Sequence, residues 1–194
     1  MIFGVPPFLC TPYKPLTGLL TKNDAILARA VEHPENFLVS PRSGDVELLV
    51  AHALTSPDNA TWEVWRNDTF VGIIHLDHIV PECDARLHFV FLDNVLADKA
   101  ALLRTFVQQC FTLFGFERLS FEVPDHLSTL QSFARRHLGF RHESGTRSRR
   151  ERAYFDGDRW HDVVLLRLLA EEVAQWVLGP LPSPLWSSRG KKIL

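Results

Sequence analysis

Between Phe70 and Leu92, two apolar runs carry His75, Asp77, His78, Arg86 and His88. In extended chain, successive side chains alternate between faces, so His75 and Asp77 share a face of the first run and Arg86 and His88 a face of the second. Ile74, Leu76, Phe89 and Phe91 take the opposite face. With a turn centred between Glu82 and Cys83, Asp77 lies opposite His88 and Ile79 opposite Arg86, which places all four polar side chains together. A carboxylate beside an imidazole orients and tunes a general base that works near neutral pH. A polar face inside a sheet is costly unless it lines a cleft. The plain alternative is an edge hairpin with solvated polar side chains. Register decides between them, because a slip of one residue turns every side chain to the other face. His75, Asp77, His78, Cys83 and His88 match no standard zinc spacing, and alternation sends His78 away from His75. No metal site is expected from them.

The elements that must hold these residues follow from local signals. The first twenty residues, rich in proline and aromatics, read as an extended arm on the body. A short helix is expected over 25–31 and a second over Asp45–Leu54, where Val46, Leu49, Val50 and Ala53 share a face. Thr61–Arg66 and Phe70–Ile79 alternate as strands about an Asn67-Asp68 turn, and Arg86–Leu92 is a third strand. Ala97–Phe114 is the strongest helix, with Leu103, Phe106, Val107, Cys110, Leu113 and Phe114 in one stripe and Gly115 at its end. Arg118–Val123 is a strand. Asp156-Gly157 is a mirror-image hairpin turn between the strands Glu151–Phe155 and Arg159–Leu168, and a last helix spans Ala170–Leu178.

Length and composition bound the rest. A chain of 194 residues with 46% apolar residues and five tryptophans can build one sizeable core. Residues 1–178 read as a single domain, and 179–194 as a Pro/Ser-rich, finally basic tail. A formal net charge of −2 gives no global attraction to nucleic acid or an anionic membrane. No apolar run reaches the ~18 residues of a membrane span, and the proline-broken start lacks a basic leader. Cys10, Cys83 and Cys110 form no CxxC pair and leave an odd count, which favours a reducing, cytoplasmic setting. Arg135, Arg136, Arg141, Arg147, Arg149, Arg150 and Arg152 cluster late. They read as a solvated face, or as a patch for phosphates, an acidic substrate or nucleic acid.

The stretch Phe121–Arg147 joins these elements into a recognisable pattern. Leu127, Leu130, Ala134 and Leu138 recur at helical spacing, Asp125 stands where an N-cap is wanted, and Gly139 where a left-handed C-terminal residue is wanted. Asp125-x-x-Ser128, the helix, Leu138-Gly139-Phe140 and the following Glu143-Ser144-Gly145 resemble the GCN5-related N-acetyltransferases (GNAT), in style nearest the ribosomal-protein type. The closing run Asp156–Asp162, followed by apolar residues and Glu171-Glu172, is similar to that subgroup as well, with Val173 where it has tryptophan. The resemblance covers roughly 15–178. It implies an α/β fold, a central mixed but mostly antiparallel twisted sheet flanked by helices.

It also implies direct transfer of an acetyl group from acetyl-CoA to an amine on a small molecule or protein, by a monomer or homodimer. Backbone groups of Phe89, Val90 and Phe91 would hold the pantetheine arm and polarise the thioester. The loop before the strongest helix, with Val95, Lys99, Ala100 and Arg104, would meet the phosphates. That loop contains no glycine, and Asp98 adds a negative charge that Lys99 and Arg104 could offset. Asp125 would also contact the coenzyme, and Ser128 would serve as thiolate-side donor or pantetheine contact, since Arg135 occupies the position of the usual tyrosine acid. Asp77 or His88 is the candidate base for the acceptor amine. Two alternatives remain open: a GNAT-like binding module without turnover, and a transferase with another donor or a nucleobase or transfer-RNA acceptor.

Overall fold

A computed structural model describes residues 2–13, 45–93, 97–145 and 148–178. The expected helix over 25–31, Val95, Arg147 and the 179–194 tail lie outside these residues. Chain order is β1 (Phe3–Val5), β2 (Phe8–Pro12), α1 (Val46–Thr55), β3 (Ala60–Arg66), β4 (Thr69–Val80) and β5 (Asp84–Phe91). A 3-10 turn at Ala97–Lys99 leads into α2 (Ala100–Thr112). Then follow β6 (Arg118–Pro124), α3 (Ser128–His137), β7 (Arg141–His142), β8 (Arg149–Phe155), β9 (Trp160–Leu169) and α4 (Ala170–Leu178).

The strands form one sheet in the order β1-β2-β3-β4-β5-β6-β9-β7, with β8 also on β9. β5 and β6 pair in parallel, and every other neighbour is antiparallel. The start of the chain is not merely an extended arm: β1 and β2 form a hairpin that continues the sheet beyond β3. Alternation buries Trp62, Val64, Ile74, Leu76, Leu87, Phe89 and Phe91 on one face, with α2, α3 and α4 packed over it. The other face sets Ile73 and Val90 against Val50 and Leu54 of α1.

Helix α2 forms because Leu102, Leu103, Phe106, Val107 and Cys110 recur at helical spacing and are all buried. Phe106 alone meets Trp62 edge-on, with ring centroids 5.0 Å apart, and Phe3 at 5.5 Å. Burying one such ring stabilises the fold by about 1.5–3 kcal/mol. Gly115, at φ 71°, ends the segment.

Helix α3 is amphipathic, with Phe133 and Ala134 buried and Arg135, Arg136 and His137 in its last turn, where cations complement the helix dipole. Asp125 does not cap it. The N-cap is Leu127, without a side-chain cap bond. The Asp125 amide still bonds the Asp162 carbonyl at 2.9 Å as part of the sheet, three residues before the helix starts. Its carboxylate is drawn to Arg149 and His161 instead. Gln131 helps close the helix start through the carbonyls of Pro124 and Asp125.

After α3, Gly139 at φ 75° turns the chain toward β7. Trp176 of α4 fills the notch that its missing side chain leaves: a Cβ there would lie 2.3 Å from the indole. Gly139→Ala should therefore cost about 2–4 kcal/mol in denaturant unfolding, from left-handed backbone and overpacking together. Adding Trp176→Ala should recover part of that cost. Strictly additive costs would mean that the indole does not seat there.

Candidate active site

The polar residues of the first hairpin share one face as expected, but their register differs by two. His75 lies opposite His88 and Asp77 opposite Arg86. The turn takes three residues between Val80 and Asp84, closed by the Cys83 amide on the Val80 carbonyl, so its centre is Glu82. A bulge between Asp77 and Val80, with His78 at φ 49°, adds the second offset. Two shifts of one residue preserve the alternation, so the shared face survives.

This face is neither a solvated edge nor an open cleft. His75 and His88 are buried, and Asp77 and Arg86 are nearly so. Arg86 grips Asp77 with two parallel bonds, Nε–Oδ1 at 2.8 Å and Nη2–Oδ2 at 2.7 Å. His88 Nε2 lies 3.1 Å from Asp77 Oδ1. Burial alone would raise the Asp77 carboxyl, but hydrogen bonds and charge from His88 and Arg86 outweigh it and hold the group far below the ordinary carboxylate range. Asp77 is thus a permanent anion that holds His88, and a poor proton acceptor itself. His75 bonds Thr61 Oγ1 through Nδ1 at 2.7 Å. Burial, then the charges of His88 and Arg86, push it down to about 3, so it stays neutral.

Beside this cluster the sheet splits. β5 and β6 pair over Asp84–Arg86 and Arg118–Ser120. Beyond that, β5 runs on to Phe91 and β6 to Pro124 without further shared pairs. The Leu92 amide bonds Val71 on β4, so by alternation the amides of Val90 and His88 also face β4, while those of Phe89 and Phe91 face the split. Phe89 and Phe121 stack beneath the opening, centroids 5.4 Å apart, with Phe133 edge-on to Phe89. On the opposite face a chain of charges spans the gap. Arg86 Nη1 reaches Glu122 Oε2 of β6 at 3.2 Å, and Glu122 also pairs with Arg150 of β8.

The phosphate-side residues are more scattered. Lys99 is buried, with its ammonium 5.1 Å from the Phe91 ring centre and paired with Asp93. It is not a surface cation. Arg104 lies over the Trp176 ring at 4.4 Å, one helical turn beyond Ala100. Asp98 sits 3.9 Å from Arg66, which offsets its charge in place of Lys99. Ser128 opens α3 and is exposed, and Asp125 belongs to a second cluster at the end of β6 with His126 and His161. Neither Ser128 nor Asp125 joins the Asp77–His88 pair. The late arginines do not form one free basic face: Arg141 pairs with Glu172, Arg149 with Asp125 and Asp162, and Arg150 with Glu122.

Sequence reasoning missed Glu122, His126, His161 and the pairing role of Asp156. Their signal lies in register: once β6 is aligned with β9, Pro124 falls opposite Val163, which brings the residues after β6 beside the start of β9.

This strand order, with its single parallel pair that splits and its helix after the split, is the fold of the GCN5-related N-acetyltransferases. Three solved structures share it across most of their length. A ribosomal-protein-S5-alanine acetyltransferase from Vibrio fischeri aligns with a TM-score of 0.64 at 10% identity, over 88% of this chain and 97% of the other. For a variant of spermidine N-acetyltransferase SpeG from Vibrio cholerae the values are 0.66, 12%, 88% and 98%. For a GNAT-family acetyltransferase from Bacillus anthracis they are 0.63, 14%, 88% and 99%. No protein-family model and no curated protein matches the sequence. No helix among the described residues is long and apolar enough to cross a membrane.

The His75 environment sets a pH dependence. The unfolded imidazole takes up a proton below about pH 6.5, while the folded one resists until about 3, so its contribution is complete above 6.5 and is lost as pH falls. Between pH 6 and 4 it should add a slope approaching about 1.4 kcal/mol per pH unit to the unfolding free energy. His75→Gln should flatten that slope in denaturant titrations. An unchanged slope would mean that the imidazole is not held neutral.

Proposed function

We propose that this chain is an acyl-CoA-dependent N-acyltransferase, with acetyl-CoA as donor and a primary amine as acceptor. The split between β5 and β6 carries the reading. Its edge offers the Phe89 and Phe91 amides to an extended polar chain such as pantetheine, and the Phe89–Phe121 stack gives that chain an apolar floor. Val90 supports the same edge from within the β4 ladder. The thioester carbonyl placed against these amides would gain negative charge as the amine adds, and fixed donors stabilise that charge.

His88 is the base in this scheme, and Asp77 is its positioning partner. The amine nitrogen forms the new bond to the acyl carbon, its proton passes to the imidazole, the carbon–sulfur bond breaks, and the thiolate leaves with the coenzyme. Ser128, at the start of α3, is the donor proposed for that thiolate. Ala100 and Arg104, at the start of α2, line the phosphate end. With Lys99 committed to Asp93, the basic share falls chiefly to Arg104. Asp125 is left to hold Arg149 and His161 rather than the coenzyme. The spermidine and ribosomal-protein-S5-alanine acetyltransferases that share the fold make spermidine and a ribosomal-protein alanine the first acceptors to try.

Calorimetric titration with acetyl-CoA and free coenzyme A tests the donor. One-to-one binding of both is expected, and absence of heat or thermal shift at millimolar ligand would sink the enzyme reading in favour of a binding module. Given turnover, His88→Gln should lower kcat on the order of 10²–10⁴-fold and leave coenzyme affinity unchanged. Asp77→Asn should lower kcat, because the imidazole loses the carboxylate that orients it. Unaltered rates in both would remove His88 from the chemistry.

A further inference from the structure

Outside the split, the end of β6 and the β8–β9 hairpin bring Asp125, His126 and His161 together, with one ligand-type atom from each within 4.8 Å of the others. We infer that this cluster is a mononuclear site for a borderline divalent metal ion of the zinc class, held by Asp125 Oδ1, His161 Nδ1 and His126, with a fourth position open to water. The inference stands apart from the acyl-transfer reading and uses none of its residues in a catalytic role.

The strongest observation is how His161 is held. Its ring is buried, and Nε2 lies 2.6 Å from Asp156 Oδ2. Asp156 Oδ1 in turn accepts the backbone amides of Asp158 at 2.8 Å and Arg159 at 2.9 Å. With Asp156 on Nε2, Nδ1 is the ring nitrogen that faces the cluster, and it lies 3.3 Å from Asp125 Oδ1. For bonds of roughly 2.0–2.1 Å, the edge of a tetrahedral zinc site is about 3.3 Å. A carboxylate on the far nitrogen of a ligating histidine is also the usual outer partner that fixes tautomer and orientation.

His126 completes the set from the solvent side. It is exposed, and its ring lies 4.0 Å from that of His161, centre to centre, with buried Tyr154 behind both. Arg149 is the main opposing charge. It bonds Asp125 Oδ2 at 2.8 Å and also Asp162, which leaves Oδ1 as the single ligand atom of Asp125 and orients it. Asp125 and Asp162 balance Arg149 and Arg159 around the same 400 Å³ cavity, so a cation would be held there by its ligand atoms and not by net charge. Two imidazoles and one carboxylate suit zinc, cobalt or nickel rather than magnesium, which prefers oxygen ligands. Sequence spacing carries no sign of the site, because adjacent Asp125 and His126 meet a histidine 36 residues from Asp125.

The test uses the untagged full chain, stripped with a chelator, then titrated with Zn²⁺ by calorimetry and with Co²⁺ by visible absorption. One ion per chain is expected for each, with no heat from Mg²⁺. His126→Ala removes an exposed ligand without touching the core and should weaken Zn²⁺ binding at least about tenfold. Asp156→Asn, checked for folding by circular dichroism, should weaken it about 10–100-fold, because the His161 ring loses the carboxylate that orients it. Absence of Zn²⁺ binding overturns the inference. So does either variant binding Zn²⁺ as tightly as the parent chain.

Discussion

The sheet opens beyond Arg86, and Arg86 keeps it from opening further. Its guanidinium holds Asp77 on β4 with two bonds and Glu122 on β6 with a third, and Glu122 passes the connection to Arg150 on β8. Four strands are thereby tied where backbone pairing between β5 and β6 has stopped. Such a tie costs desolvation of every charge in it, and that cost is met only when each charge has its partners. Here Asp77 has Arg86 and His88, and Arg86 has Asp77 and Glu122. The gap between β5 and β6 can therefore persist as a defined opening instead of collapsing.

The two sides of the sheet divide the work. Under α2, α3 and α4 the face is apolar and aromatic, and Phe89, Phe121 and Phe133 supply a floor that needs no hydrogen bonds. On the α1 side, the same strands present His75, Asp77, Arg86 and His88. Strand alternation alone produces this division, so the residues that bury the sheet and those that carry charge can be substituted independently.

Much of the architecture was legible because it rests on period and punctuation. The Asn67-Asp68 turn, the α2 stripe and Gly139 each fix an element locally, and the helix Ala170–Leu178 has the expected ends. The hairpin at Asp156-Gly157 instead forms through a four-residue loop in which only Gly157 takes positive φ, not the expected mirror-image turn. The hairpin register was less legible, since neither the three-residue turn nor the bulge at His78 has a distinctive residue type. The polar face was read correctly because the two errors summed to an even number. Asp125 was misread as a cap because a cap is a local inference, whereas its partners Arg149 and His161 come from strands 24 and 36 residues away. Lys99 shows the same limit: its spacing suited a phosphate contact, but packing against Phe91 and Asp93 buried it. Sites assembled from β6 and β9 appear only once those strands are registered.

The position of β9 carries a consequence for how the chain reaches this state. It is the last strand among the described residues, yet it lies inside the sheet, with β6 on one side and β7 and β8 along the other. During synthesis, β6 must wait with one edge bare until some forty further residues have left the ribosome, and the core over it closes only when α4 brings in Val173 and Trp176. The exposed edge of a nascent strand invites pairing with other chains. Pro124 at the far end of β6 and the charged Glu122 nearby lie on that waiting strand, and both residue types discourage such pairing.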